Sequence, residues 1–179
     1  MPPTVPRIRG YIAASLDGFI ATPDGGIGWL DRYQDVDYGY EAFLAEIGTV
    51  VLGRATYDQA LGFGTGWPYP GRRGLVVTSR PLPSPPEGVT AWRDGVAALI
   101  DHLRRASDRD VWVVGGARLQ RAFLDAGALD RLDLFVIPEL LGDGVPLFPR
   151  SDRRHRLQLE DARPLPRGMV RLSYAVTPA

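Results

Sequence analysis

The chain has 179 residues, a length that suits one domain with a substantial hydrophobic core. Its 21 basic residues balance 21 acidic ones, so neither a nucleic acid nor an anionic membrane surface is indicated as a partner. The sequence contains no Cys and no Lys, which excludes disulfides, cysteine nucleophiles, Cys-ligated metals and Schiff-base chemistry on Lys.

Few residues offer metal or imidazole chemistry. The two histidines, His102 and His155, lie in unrelated segments, so neither a metal site nor a Ser-His-Asp triad is predicted. No apolar run approaches the ~20 residues of a membrane span, and the N-terminus lacks the apolar core of a signal peptide. We therefore expect a cytoplasmic protein, with a flexible Pro-rich tail at residues 1–7 and a single domain over residues 8–179.

Strands and helices alternate along most of the chain. Short apolar runs predict strands at residues 8–15, 19–21, 49–52, 74–78, 89–92, 111–114, 132–137, 157–162 and 169–176. Helical spacing or a helix-opening motif predicts helices at 35–48, from Gly53 for one or two turns, at 95–106 and from Ala117. The last two strands alternate apolar and polar residues, which is typical of an antiparallel edge. The pattern indicates an α/β domain with a mostly parallel sheet.

A glycine pair separates a strand from a helix near the middle of the chain. The four apolar residues 111–114 suit a strand buried on both faces, and Gly115 and Gly116 follow directly. Glycine lets the backbone approach an anion, and the next helix offers unpaired N–H groups at its start. The segment therefore predicts either a phosphate-binding cradle, with Arg118 adding a charge, or a tight turn chosen for its backbone angles alone.

Four motifs occur in an order and spacing that resemble the dihydrofolate reductase superfamily over nearly the whole chain. They are AASLDGFIA at residues 13–21, GRATY at 53–57, PYPGRRGLVVTSR at 68–80 and VVGGARLQRAFL at 113–124. The form SLDG and the loop PELLGDGVPLF, at 138–148, look more like the pyrimidine reductases of riboflavin biosynthesis. The resemblance implies a central, mostly parallel mixed sheet of about eight strands, flanked by helices and closed by antiparallel C-terminal strands.

The resemblance also implies NADPH as cofactor. It places the pyrophosphate over the glycine pair and the following helix, and the 2′-phosphate near Arg54, Ser79 and Arg80. The full set of expected cofactor contacts is Ala14, Ile20, Gly53, Arg54, Thr56, Thr78, Ser79, Arg80, Gly115, Gly116, Ala117, Arg118 and Leu119. Two alternatives stay open, since Arg54 could instead pair with Asp58, and Thr56 could cap the short helix.

Hydride transfer calls for a proton source near the nicotinamide. Counting back from Gly53, the position matching the acidic residue of folate reductases is Asp37, which we expect on the flank of the first helix and partly buried. Asp37 could instead cap that helix. Glu41, one turn further on, disfavours a pterin pocket.

The expected function is NADPH-dependent reduction of a small heterocycle, as in the reductases that act on 5-amino-6-(5-phosphoribosylamino)uracil. Dihydrofolate reductase activity and a non-catalytic NADP-binding protein are the alternatives. The expected partners are a small-molecule substrate and a second copy of the chain in a homodimer.

Overall fold

The computed structural model describes residues 5–177. Its strands are β1 (Ile8–Ser15), β2 (Phe19–Ala21), β3 (Ile47–Gly53), β4 (Arg73–Val77), β5 (Val89–Trp92), β6 (Asp110–Gly115), β7 (Arg131–Ile137), β8 (Val145–Pro146), β9 (Leu157–Pro164) and β10 (Val170–Val176). Its α-helices are α1 (Tyr40–Glu46), α2 (Arg54–Gly62), α3 (Gly95–Ala106) and α4 (Ala117–Asp125), with short 3₁₀ helices at Gly28–Tyr33 and Pro166–Gly168. Over this part of the chain, no helix is long and apolar enough to cross a membrane.

Within the described residues, eight strands form one sheet in the order β5-β4-β3-β6-β1-β7-β10-β9. The strands from β5 to β7 pair in parallel, whereas β10 pairs antiparallel with both β7 and β9. The remaining two strands, β2 and β8, form a separate antiparallel ribbon. The predicted fold class, with its eight-stranded mixed sheet and antiparallel C-terminal strands, is confirmed.

The two faces of the sheet carry different cores. One face is rich in aromatic residues, among them Tyr11, Phe43 and Trp112, and it is covered by α1 and α2. The opposite face is aliphatic and is covered by α3 and α4, whose Leu99, Leu103 and Phe123 are almost completely buried. The aromatic face becomes important below because it forms the wall of a cavity.

Most predicted elements match, but the first helix was predicted far too long. In place of residues 35–48, α1 covers only Tyr40–Glu46. Gly39 has φ +80, a left-handed conformation that stops a helix from extending backwards, and Ile47 already has extended angles and begins β3. The 3₁₀ helix Gly28–Tyr33 and the two-residue strand β8 were not predicted.

Residues 6 and 7, at the end of the predicted tail, contact the domain. The Pro6 carbonyl oxygen accepts a hydrogen bond of 2.7 Å from Arg104 of α3, and the Arg7 amide donates at 3.0 Å to Asp110, the first residue of β6. The division into a flexible tail and a single domain stays a prediction. Residues 1–4 lie outside the described part of the chain.

A cluster of charges is buried beside the aromatic core. The carboxylate of Asp133, which has no exposed surface, accepts hydrogen bonds from Ser173 (2.5 Å), Arg171 (3.1 Å) and Arg131 (3.3 Å). Arg9, also buried, lies 3.5 Å from the same carboxylate. Burial by itself would raise the pKa of Asp133, but the bonds from Ser173, Arg171 and Arg131 outweigh it and hold that pKa below its usual value.

Replacing Asp133 by Asn should lower the free energy of unfolding at neutral pH by roughly 3 kcal/mol, because it leaves buried guanidinium groups without their counter-charge. A lowered pKa in the folded state adds stability above the unfolded value of about 3.9 and loses it as the pH falls. The variant should therefore show a weaker loss of stability in acid than the wild type, as measured by urea unfolding. Asp161→Asn, on a largely exposed pair with Arg163, is the control and should change little.

Candidate functional site

Two cavities lie on the side of the sheet where the strands end. The first, which we call the glycine cleft, has a volume of about 730 Å³ and opens between the ends of β3 and β6. It is lined by the start of α2, the start of α4 and the segment after β7, including Gly53, Thr56, Gly116, Arg118 and Gly144. Ligands of open parallel sheets bind at this edge, beyond the carboxyl ends of the strands.

Three glycines bring the backbones of β3 and β6 together at the bottom of this cleft. A Cβ on Gly53 would already lie 3.6 Å from the Gly115 oxygen and the Gly116 nitrogen, and a Cβ on Gly116 would lie 3.5 Å from Thr56 Oγ1. Gly115 has φ +145, which L side chains rarely adopt, and its peptide bond to Gly116 is cis. The half-buried Gly53 and Gly116 therefore present backbone, and no side chain, to the floor of the cleft, with the buried Gly115 behind them.

Positive groups surround this floor. Helix α4 starts at Ala117. The amides of Leu119 and Gln120 donate to the carbonyl oxygen of Gly116. The first N–H groups of a helix have no acceptor within the helix itself. Arg118 and Arg54 add guanidinium groups to the lining. The cleft therefore has the features of an anion site: bare backbone, a helix start and fixed positive charge.

The side chain of Arg54 is already held by neighbouring groups. Its Nε donates to Asp58 at 2.8 and 3.0 Å, and its Nη1 donates to the Pro81 carbonyl at 3.0 Å. The contact with Asp58, which the sequence left open as the alternative to a cofactor phosphate, is present, and Arg54 still lines the cleft. Its expected contact with the cofactor stays a prediction. The bond to Pro81 also keeps the segment after β4 next to the cleft.

The structure brings together seven of the residues expected to contact a cofactor. The cleft is lined by Gly53, Arg54, Thr56, Gly116, Ala117, Arg118 and Leu119. Gly115 lies directly behind them. The others, Ala14, Ile20, Thr78, Ser79 and Arg80, are not among the described residues of its lining. Ala14 is buried in β1, and Arg80 is exposed at the end of β4, with its amide bonded to Thr78 Oγ1.

The loop between β7 and β9 closes one side of the cleft, a role that the sequence did not reveal. Asp17, in the turn after β1, accepts hydrogen bonds from the amides of Leu141 (3.1 Å) and Gly142 (2.7 Å). A Cβ on Gly144 would lie only 2.1 Å from the Ala21 oxygen, so only glycine fits there. The motifs SLDG, at residues 15–18, and GDG, at 142–144, mark these two segments in the sequence. They lie far apart along the chain, so the sequence alone does not show that they are in contact.

The second cavity, which we call the aromatic pocket, has a volume of about 290 Å³ and lies over β1, β6 and β7. Its wall contains Tyr11, Tyr38, Tyr40, Trp112 and Phe135. The ring centroids of neighbouring residues are 4.7 to 6.4 Å apart, as in packed aromatic clusters. Burial raises the pKa of Tyr11, Tyr38 and Tyr40 above the usual value, so these hydroxyls stay neutral near pH 7.

Trp112 connects the two cavities along β6. It lines the aromatic pocket, and Gly116, four residues later, lines the glycine cleft, a separation of roughly 13 Å along an extended chain. The indole N–H of Trp112 is buried and has no acceptor among the described residues. The same holds for the indole N–H groups of Trp29 and Trp67.

Asp37 is not where the sequence indicated. It lies in a turn before α1, it is exposed, and its Oδ1 accepts a hydrogen bond of 2.9 Å from the Gly39 amide. The expected helical position and partial burial are therefore wrong, because the left-handed Gly39 separates this turn from α1. Asp31, in the 3₁₀ helix Gly28–Tyr33, is the carboxylate that the described lining of the aromatic pocket contains. No periodic pattern marks a single 3₁₀ turn, so sequence reasoning missed it.

Comparison with known proteins agrees with this geometry. A family model described as the RibD C-terminal domain matches residues 77–171, just over half of the chain. The chain is 37% identical to the uncharacterised protein YwjB of Bacillus subtilis, over 84% of this chain and 87% of that protein. It is 32% identical to the riboflavin biosynthesis protein RibD of Mycobacterium tuberculosis, over 79% of this chain but only 44% of RibD.

Solved structures show the same architecture. A protein of Shewanella sp. PV-4 assigned to riboflavin biosynthesis superposes with a TM-score of 0.84 at 26% identity, covering 96% of this chain and 99% of that one. The dihydrofolate reductase of Enterococcus faecalis, solved with NADP(H), superposes with a TM-score of 0.66 at 22% identity, covering 96% of each chain, and shows the fold alone. With the eight-stranded sheet and the glycine cleft, these matches show that the chain belongs to the RibD C-terminal domain family, within the dihydrofolate reductase-like fold.

Proposed function

We propose that the protein is an NADPH-dependent reductase that transfers a hydride to a small heterocyclic substrate, in the manner of the pyrimidine reductases. The observation that carries this proposal is the pairing of the two cavities: Trp112 of β6 lines the aromatic pocket, and Gly116, directly after β6, lines the glycine cleft, roughly 13 Å further along an extended chain. A non-catalytic NADP-binding protein and a dihydrofolate reductase remain the alternatives to be tested.

The residues of the glycine cleft fit a dinucleotide cofactor. Gly53, Gly115 and Gly116 leave room for a pyrophosphate over the start of α4, where backbone N–H groups can donate to it. Arg54 and Arg118 line the same cleft, and Arg80 lies at the end of β4, so each is a candidate partner for the 2′-phosphate. A reduced nicotinamide bound in this way supplies the hydride.

The protein's own contribution is to position the substrate and exclude water. The rings of the aromatic pocket can stack on a flat substrate, and Asp31 can pair with a positively charged or N–H group at its rim. The loop after β7, held by Asp17 and packed against β2, covers the cleft from the side. We assign the pairing role to Asp31 because it lines the aromatic pocket, although its Oδ1 already accepts a hydrogen bond from Gln34. Asp37, which does not belong to that lining, is the matched control.

A first prediction concerns cofactor choice. The wild type should bind NADPH more tightly than NADH by about tenfold or more, the effect of one phosphate–Arg contact. Arg54→Ala should reduce this preference, and Arg163→Ala, on the exposed β9, should not. Fluorescence titration with both cofactors measures the two affinities. Equal affinities in the wild type would contradict the assignment of the 2′-phosphate site.

A second prediction concerns the floor of the cleft. Gly116 has φ −82 and ψ −167, an extended conformation that valine adopts readily, so Gly116→Val should fold. Its branched side chain would fill the space beside Thr56, and NADPH binding should be lost while the thermal midpoint changes little. Gly62→Val, which enters open space at the end of α2, is the control. A folded Gly116→Val protein with normal NADPH affinity would refute the cradle.

A third prediction separates the two candidate carboxylates. A substrate is first sought by screening dihydrofolate, the phosphoribosylamino-pyrimidine and simple quinones for oxidation of NADPH. With that substrate, Asp31→Asn should lower kcat/KM roughly tenfold to a hundredfold, which is the effect of losing one charge-assisted contact. NADPH affinity should be unchanged. Asp37→Asn should leave both quantities as in the wild type, and the reverse pattern would return the role to Asp37. Tight NADPH binding without any turnover would favour the non-catalytic alternative.

We further propose a homodimer formed through the late part of the sheet. Strand β9 is an exposed edge, and Leu159 on it has 52% of its surface exposed, opposite Tyr174 of β10. Light scattering at micromolar concentration should give twice the chain mass, and Leu159→Glu should shift the mass towards the monomer. Phe63→Glu, at an exposed position after α2, is the control. A monomeric wild type would overturn this proposal.

A further inference from the structure

The charges around the aromatic pocket define what it can hold. Its described lining contains one carboxylate, Asp31, and no Arg or His. The rest of the wall is apolar or aromatic, apart from the neutral Tyr hydroxyls and the amide of Gln34, which donates a hydrogen bond of 2.8 Å to the Asp31 carboxylate. A phosphorylated ligand in such a pocket would lose part of its hydration without gaining a positive partner.

The arginines near the pocket are engaged elsewhere. Arg32, whose guanidinium lies over the Tyr33 ring, has its Nη1 3.6 Å from Glu139. Arg171, over the Phe135 ring, donates to the buried Asp133, and Arg167 pairs with Asp35 at 2.5 Å. A ligand phosphate would have to compete with a carboxylate for each of them. Arg54 in the glycine cleft has such a partner too, Asp58, so the difference between the two cavities is that no Arg belongs to the described lining of the aromatic pocket.

Two other basic residues donate to backbone carbonyls and line a different cavity. Arg72 donates to the carbonyls of Leu44 and Pro70, and Arg73 donates to that of Ala106. Both line a separate cavity at the opposite ends of β3 and β4. The basic groups that a phosphoribosyl substrate needs are therefore not gathered at the aromatic pocket.

The features that are present suit a cation. The faces of Tyr and Trp rings carry negative charge density and attract positive ligands, and a carboxylate at the rim adds to this attraction. We infer that the aromatic pocket binds a flat, positively charged N-heterocycle that carries no phosphate. The reaction that this inference implies rests on the proposed reductase function, but the preference of the pocket for a cation can be tested without any cofactor.

Reduction of a cationic acceptor also needs no acid to supply a proton. The carbon of a C=N⁺ bond accepts a hydride from a reduced nicotinamide, the π electron pair moves onto nitrogen, and the product is a neutral amine. The nicotinamide becomes oxidised, and no proton is taken up or released. The Tyr11 hydroxyl already donates to the Tyr38 carbonyl at 2.9 Å, and burial raises the pKa of Tyr11, Tyr38 and Tyr40, so these hydroxyls would be poor proton donors. This chemistry therefore matches the groups that the pocket offers.

The test uses three two-ring probes of similar size and different charge: N-methylquinolinium, quinoline and quinoline-2-carboxylate. Binding to the full chain is measured by quenching of Trp fluorescence and by calorimetry. The cation should bind about tenfold more tightly than quinoline, the anion should bind weakest, and Asp31→Asn should reduce only the affinity for the cation. An anion that binds as tightly as the cation, or no binding of any probe at millimolar concentration, would overturn the inference.

Two variants, each with a matched control, connect the result to this pocket. Tyr38→Leu should weaken binding of the cation about tenfold, and Tyr38→Phe, which keeps the ring, should preserve it. Gln34→Arg adds a positive charge at the exposed rim and should reverse the preference towards the anion, whereas Gln158→Arg on β9 should not. Unchanged preferences in both Tyr38→Leu and Gln34→Arg would place the probes elsewhere and refute the assignment.

The outcome is separable from that of the proposed function. Loss of the reductase proposal would appear as a failure to bind NADPH in the glycine cleft, with probe binding unaffected. Failure of the present inference would appear as a wrong order among the three probes, with NADPH binding intact.

Discussion

The close approach of β3 and β6 at their carboxyl ends is the constraint on which the proposed site depends. The two strands are neighbours in the centre of the sheet, and Leu52 pairs with Gly115 where they end. A helix must start immediately after each strand, α2 at Arg54 and α4 at Ala117. Glycine at positions 53, 115 and 116 lets both turns occur side by side, with backbone and not side chains forming the floor.

This arrangement explains why the loops around the site are anchored so firmly. The cleft would be open to solvent on one side if the segment after β7 were free, but Asp17 bonds two of its amides and Gly144 packs against β2. On the other side, Arg54 links α2 to Pro81 after β4. Each of these contacts joins segments far apart in the sequence, so the loops at this edge of the sheet are held to one another.

The sequence predicts well what depends on local periodicity and burial. Strand β1, strand β5 and helix α3 were placed at their observed bounds, because apolar residues there follow the period of one element. The prediction of the first helix was wrong because Val36, which precedes α1, is buried. Its spacing from Tyr40 and Phe43 also fits the period of a helix. The candidate acidic residue comes from the same region. Counting along the chain selects Asp37, whereas Asp31 is the carboxylate that lines the aromatic pocket.

Charge is divided between the two cavities in a way that no single motif shows. Arginines line the glycine cleft, and a carboxylate with aromatic rings lines the pocket, although the formal charge of the whole chain is zero. The nearby arginines outside the cleft each have a carboxylate partner, Asp133, Glu139 or Asp35, as Arg54 inside it has Asp58. An anionic cofactor and a cationic acceptor would each meet complementary charge in adjoining cavities, and each would be repelled from the other's place. Specificity would then arise from where charges are paired, and not from how many there are.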